Sequence, residues 1–315
     1  ISLGLVGSEM CIRDRYNTSG MFYAHASVGT LHVRPVLNMK SDQDIKNMRS
    51  ISEEAFEMVK DYKGSHSGEH GDGIVRSEFH EMMFGKNITN AFEEIKDTFD
   101  NKNLLNPGKI VRPFKSNDRS LMRYKSDYQT ENISTHYDWS NWGQFSDAIE
   151  MCNNNGACRK LDSGVMCPSY RVTKEEKDLV RGRANTLRLA LSNQLPEGSF
   201  ASKEMYETME LCVSCKACQR ECPMSVDMAK MKSEFLSHYY KKFSMRVKDR
   251  IISDMPRLIW LYKIVNPIIN KIKNFPIIST IIEKFGFATK RSLPEVQNQK
   301  ALRDIYTVSY THLRA

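Results

Sequence analysis

No apolar run in this 315-residue sequence approaches the ~20 residues that a membrane-spanning helix requires. No stretch shows the basic, apolar, small-residue succession of a secretory signal. Nor do aromatic residues interleave with Lys and Arg as in nucleic-acid-binding motifs. These absences argue against a membrane-spanning protein and predict a cytoplasmic chain that does not bind nucleic acid. Acids are also in short supply. Against 46 Lys and Arg stand 38 Asp and Glu, a net charge of +8. That excess suits an anionic partner, such as an acidic substrate or a membrane surface.

The length allows two or three domains. Residues 1–15 (ISLGLVGSEMCIRDR) and 308–315 (VSYTHLRA) resemble translated sequencing-adapter read-through. Cys11 and His312 are therefore set aside, and the chain is expected to be a fragment of something longer. Residues 16–113 form an α+β region. It comprises a strand over GTLHVRPVL, a helix from Ser41 to Tyr62 with Ile45, Met48, Ile51, Ala55, Phe56 and Val59 at helical spacing, and a second helix. That second helix is predicted to be capped by Thr89 and to bury Ala91, Phe92, Ile95 and Phe99. The polar stretch 114–146 reads as a linker. Residues 147–240 hold seven cysteines, and 241–307 form a basic amphipathic helical tail interrupted at Pro256, Pro267 and Pro276. The tail suits either packing on a further domain or peripheral contact with the inner face of a membrane.

The cysteines carry the strongest signal. Cys212-Val-Ser-Cys215-Lys-Ala-Cys218-Gln-Arg-Glu-Cys222-Pro223 places three thiolates at spacing three, enough to grip three corners of a 4Fe-4S cluster. Zinc prefers Cys pairs separated by a longer loop, and disulfides suit an oxidising compartment. The earlier motif, Cys152-Asn-Asn-Asn155-Gly-Ala-Cys158 followed by Cys167-Pro168, is an altered copy with Asn155 where a cysteine is expected. Crosswise pairing gives one complete set, Cys212, Cys215 and Cys218 with Cys167. The other set, Cys152, Cys158 and Cys222, has three thiolates, for a 3Fe-4S cluster, a 4Fe-4S cluster with a labile corner, or no cluster. Thr173 and Glu176 predict a capping box opening a helix through Leu189, and a further helix is predicted from Pro223 to Leu236. The basic run Arg171–Arg188 reads as a solvated helix face. Helices after each motif predict an all-α ferredoxin-like module.

A second constellation lies upstream. If Val28 and Gly29 form a two-residue turn, His25 and His32 become direct cross-strand partners about 5 Å apart at Cβ. Two imidazoles so placed can share one divalent metal. Glu69 and His70 follow in the Gly-rich stretch Ser-Gly-Glu-His-Gly-Asp-Gly. From the residues alone, two surface histidines beside an unrelated loop fit equally well.

His-x₆-His, Gly-Glu-His-Gly and Leu105-Asn106-Pro107-Gly108-Lys109-Ile110 together resemble the C-terminal part of FAD-linked oxidases of the vanillyl-alcohol-oxidase superfamily. Joined to the cysteine motifs, they resemble large bacterial FAD and iron–sulfur dehydrogenases of the D-2-hydroxyglutarate type, over about residues 21–255. The resemblance implies that His25, His32 and Glu69 hold a divalent metal, commonly zinc, with His70 as catalytic base. It also implies FAD contacts at Asn106, Gly108 and Lys109, most of the FAD site being supplied by an N-terminal half not present here. Thr30 and Arg34 replace the Asn residues common in relatives, and Arg34 suits a substrate carboxylate. The expected activity is oxidation of a small D-2-hydroxy acid, with D-2-hydroxyglutarate ahead of D-lactate or glycolate. Electrons would pass through the clusters to a quinone or an electron-transfer protein, in a chain that can form a homo-oligomer. The competing class is an electron-transfer subunit without a substrate site.

Overall fold

The computed structural model describes residues 11, 12 and 14–290. Residues 1–10, 13 and 291–315, the last including segment 308–315, lie outside the described residues. The chain divides into two compact units, Ile1–Thr130 and Glu131–Ala315.

The first unit contains a hairpin and a set of helices. Strands β1 (Gly20–His25) and β2 (Thr30–Pro35) pair antiparallel, with His25 opposite Thr30, Tyr23 opposite His32 and Met21 opposite Arg34. The connection is the four-residue loop Ala26–Gly29, not the predicted two-residue turn at Val28–Gly29. A two-residue hairpin turn needs a positive φ at its first position, which a β-branched residue resists; here Gly29 alone in the loop takes one, at φ +68. The change moves the pairing by two residues, so no side chain changes face. His25 and His32 become diagonal neighbours on one face, shared with Tyr23, Thr30 and Arg34.

Helix α1 (Asp42–Asp61) begins where the sequence predicts, because the Ser41 side chain accepts a hydrogen bond from Asp44 N at 3.3 Å. It buries Ile45 and Ile51. Short helices α2 (Gly73–Arg76) and α3 (His80–Phe84) lead into α4 (Lys86–Phe99). The cap of α4 is Gly85, at φ 82 and ψ 162. Thr89 lies inside the helix instead, its hydroxyl donating to the Gly85 and Lys86 carbonyls. Its predicted buried face is open as well: Ile95 is 58% and Phe99 85% exposed.

Among the described residues of the second unit every regular element is a helix, as the helices expected after each motif predict. It comprises α5 (Phe145–Glu150), α6 (Pro168–Thr173), α7 (Val180–Leu191), α8 (Lys203–Glu210), α9 (Ala217–Glu221) and α10 (Met228–Lys242). These are followed by α11 (Val247–Asp254), α12 (Ile259–Ile272) and α13 (Pro276–Lys284). The Thr173–Glu176 capping box does not form. Thr173 ends α6, Lys174 takes a left-handed conformation at φ 61, and Glu176 pairs with Arg181. The helix predicted from Pro223 starts at Met228, capped by Asp227 accepting from Lys230 N at 3.0 Å. Pro276 opens α13, but Pro267 lies within α12. Trp260, Ile264 and Ile268 are exposed, and among the described residues no helix is long and apolar enough to cross a membrane.

The core of this unit joins Phe145, Ile149, Leu187, Leu191, Met209 and Phe235, among others. The stretch expected to be a linker ends inside it: Trp139 and Phe145 are buried, and the division between units falls at residue 130. The anchor is Glu234, which is 0% exposed. Its carboxylate accepts from His136 N at 2.9 Å, Tyr137 N at 3.0 Å and Trp139 Nε1 at 3.1 Å. Burial alone would raise its pKa, but the donors from His136, Trp139 and Tyr137 outweigh it and hold the carboxyl below its ordinary value. Glu234→Ala strands three donors and is expected to cost this unit about 2–4 kcal/mol, read as a lower denaturant midpoint by tryptophan fluorescence. Because the folded pKa is depressed, the carboxylate's contribution is complete above the unfolded glutamate value of about 4.3. It is lost as pH falls through the lower folded value. The variant should therefore approach the parent's stability only in strong acid; a midpoint equal to the parent's at neutral pH would refute the anchor.

Candidate active site and cluster sites

In the first unit, three imidazoles converge on one carboxylate oxygen. Glu69 Oε1 lies 3.2 Å from His25 Nε2, 3.3 Å from His32 Nε2 and 3.4 Å from His70 Nε2. The rings of His25 and His32 meet edge to face at 4.8 Å, and His70 stacks on His32 at 5.1 Å. The hairpin supplies the first two histidines on one face, and the Gly-rich loop brings Glu69 and His70 to them. Gly68 makes that approach possible: a Cβ there would sit 2.7 Å from Thr30 Oγ1. Gly71, at φ +74, turns the chain away after His70.

The donor set fits a divalent metal. A tetrahedral ion with bonds of about 2.0–2.1 Å has donor–donor edges of about 3.3 Å, and the two His–Glu edges match that spacing. The site opens on a cavity of about 560 Å³. His32, Glu69 and His70 line it, with Met48, Phe56 and Val59 of α1 as an apolar wall.

Arg34 shares the hairpin face of His32, and its guanidinium lies over the Tyr23 ring at 4.7 Å. Asn106 and Lys109 sit on an exposed loop, while Gly108 is buried beneath the Phe114 ring. No hydrogen bond or ion pair joins these three to the histidine cluster among the described residues.

In the second unit, Cys167, Cys212, Cys215 and Cys218 line one small apolar cavity, the crosswise set that the motifs predict. Ser214 and Lys216, at φ 52 and 60, curl the Cys212–Cys218 loop around it. The Cys218 thiol is pushed up to about 11 by burial. Thiolates clustered in such a place need cationic compensation, which cluster iron supplies. Cys152 and Cys158 are neighbours, both buried, and burial pushes the Cys158 thiol up as well. Asn155 turns its amide to its own loop, accepting from Ala157 N at 2.8 Å and donating to Asn153 Oδ1 at 2.6 Å. Cys222 is partly exposed and packs against the common core.

Three supporting residues escape a motif search. Arg183 is fully buried and donates to Cys167 Sγ at 3.7 Å, Ser169 Oγ at 3.1 Å and the Thr208 carbonyl at 2.9 Å. The solvated basic face expected over Arg171–Arg188 is thus interrupted at its centre. Helical spacing held the clue, since Arg183 shares the face of Val180 and Leu187. Glu221 accepts from Val165 N at 2.8 Å and Met166 N at 2.9 Å, fastening the Cys167 loop to the second motif. Lys232 donates to the Cys212 carbonyl at 2.6 Å, and burial lowers its pKa.

Comparison with known proteins matches this division. Residues 10–110 match the family described as FAD linked oxidases, C-terminal domain, and residues 148–226 match the 4Fe-4S dicluster domain. The chain therefore joins an FAD-linked oxidase C-terminal domain to a 4Fe-4S dicluster domain. Among individual proteins, it is 29% identical to a D-2-hydroxyglutarate dehydrogenase of Haemophilus influenzae, over 93% of this chain and 32% of that protein. It is 30% identical to the protein of that name from Pseudomonas putida, over 77% of this chain and 27% of the relative. A D-lactate dehydrogenase of Archaeoglobus fulgidus is 31% identical over 32% of this chain and 22% of its own length. The chain spans about a third or less of the length of these relatives. No solved structure matches it.

Proposed function

We propose that this chain is part of an FAD-dependent 2-hydroxy-acid dehydrogenase whose electrons leave through iron–sulfur clusters. The observation that carries the reading is the convergence of His25, His32 and His70 on Glu69 Oε1, in the same chain as four cysteines around one cavity. The names of the relatives support it. When bound, a divalent ion at His25, His32 and Glu69, zinc fitting the donor set, supplies Lewis acidity, FAD accepts hydride and the clusters carry single electrons.

The chain's own residues do the rest. His70 Nε2 stands beside the donor set, placed to take the proton of a substrate hydroxyl. The α1 wall excludes water from one side of the cavity. Arg34 lies two residues along the strand from His32, about 7 Å away, on the same face. That spacing suits the far carboxylate of a five-carbon dicarboxylic hydroxy acid, so D-2-hydroxyglutarate is the substrate proposed, ahead of D-lactate and glycolate. The acceptor would be a quinone or an electron-transfer protein.

The test is anaerobic mixing of the full-length flavoprotein with each of the three acids. Flavin bleaching fastest with D-2-hydroxyglutarate is expected. Bleaching by D-lactate alone would remove the role given to Arg34, and bleaching by none of them would overturn the dehydrogenase reading.

A further inference from the structure

Two groups of side chains among the described residues have metal-ligand geometry, and only one of them is the active-site set. The second is His66, Asp72 and His80, whose donor atoms lie within 4.8 Å of one another. His66 precedes the Gly-Glu-His-Gly loop, Asp72 follows it, and His80 opens α3.

This group is internal. The side chain of His66 is 0% exposed and that of His80 4%. Phe56 meets the His66 ring edge-on at 5.2 Å, and Phe84 and Phe92 border His80. Buried polar atoms in such surroundings are ordinarily hydrogen-bonded. Here His66 Nδ1, Asp72 Oδ1 and both ring nitrogens of His80 find no hydrogen-bond partner. His80 Nε2 lies 2.9 Å from Asp72 Oδ2, close but not aligned as a hydrogen bond. His66 Nε2 donates a hydrogen bond to the Arg76 carbonyl at 3.2 Å and lies 3.8 Å from Asp72 Oδ1, while its Nδ1 is left unpaired. Two imidazoles thus face one carboxylate, at 3.8 and 2.9 Å. Donor–donor edges around a tetrahedral ion average about 3.3 Å.

We propose that His66, Asp72 and His80 form a second, structural divalent-metal site that fastens both ends of the Glu69–His70 loop. The borderline donor set, two imidazoles and a carboxylate, suits zinc. Burial of the site closes it to substrate, as structural zinc sites are closed, so its role is to hold the loop rather than to react.

Zinc content tests this. The full chain, purified anaerobically, is stripped with a chelator, reloaded with zinc, washed, and assayed for zinc and iron by mass spectrometry. Any zinc held by thiols is common to parent and variants and cancels in the comparison. Glu69→Gln is expected to lose about one equivalent, and Asp72→Asn a different one, so that the double variant loses about two. His80→Gln should behave as Asp72→Asn does. Should His80→Gln fail to fold, Asp72→Asn keeps the side-chain shape, and the zinc absorption edge of Glu69→Gln gives an independent readout. Histidine and oxygen ligation in that spectrum supports the site. Sulfur ligation alone, or unchanged zinc in Asp72→Asn, overturns it.

Discussion

His70→Asn in the full-length flavoprotein is expected to slow flavin reduction by 2-hydroxy acid by about 10²–10⁴-fold, the usual worth of a positioned general base. Asparagine retains a polar group of similar reach but accepts no proton. The substitution leaves His25, His32 and Glu69 intact, so zinc content should stay at the parent value. Cluster reduction by dithionite should also be unchanged, because the cysteines lie in the other unit. Those two controls separate a lost base from a disturbed fold. A rate of flavin reduction equal to the parent's would remove His70 from the chemistry and leave it as a neighbour stacked on His32.

Cys167→Ser is expected to remove about four irons per chain, with matching labile sulfide and the electron paramagnetic resonance signal of one reduced cluster. The prediction rests on the shared cavity of Cys167 with Cys212, Cys215 and Cys218, across a gap that no local spacing bridges. Cys158→Ser should spare that signal and affect only the three-thiol set. The parent's iron content then reports on Asn155. About eight irons would mean both sites carry complete cubanes, about seven a three-iron cluster at the Asn155 motif, and about four one working cluster. Retention of all iron in Cys167→Ser, with loss in Cys222→Ser, would show that the motifs do not pair crosswise.

The pairing of His25 with His32 shows how far a sequence carries such a site. The assumed turn is wrong by two residues, yet both histidines still share a face, because strand side chains repeat every two residues and an even shift is harmless. Thr173–Glu176 shows the opposite case. The residue types of a capping box are present, but Lys174 turns left-handed and Arg181 takes the Glu176 carboxylate, so local propensity loses to tertiary contacts. Likewise Trp139 and Phe145 look like aromatics scattered in a polar linker. The buried carboxylate of Glu234, some 95 residues away, draws the first of them into a core.

The sequence by itself determined the iron–sulfur chemistry, because four cysteines within one short loop and their spacing are local facts that survive any fold. It determined α1 for the same reason, through apolar residues at helical spacing. Only the tertiary structure decided that Glu69 meets two histidines some 40 residues upstream, that Arg183 is buried against Cys167, and that His66, Asp72 and His80 form a second cluster. These are contacts between residues far apart in the chain. Their geometry follows from which glycines permit close approach and which faces pack, and residue spacing records neither.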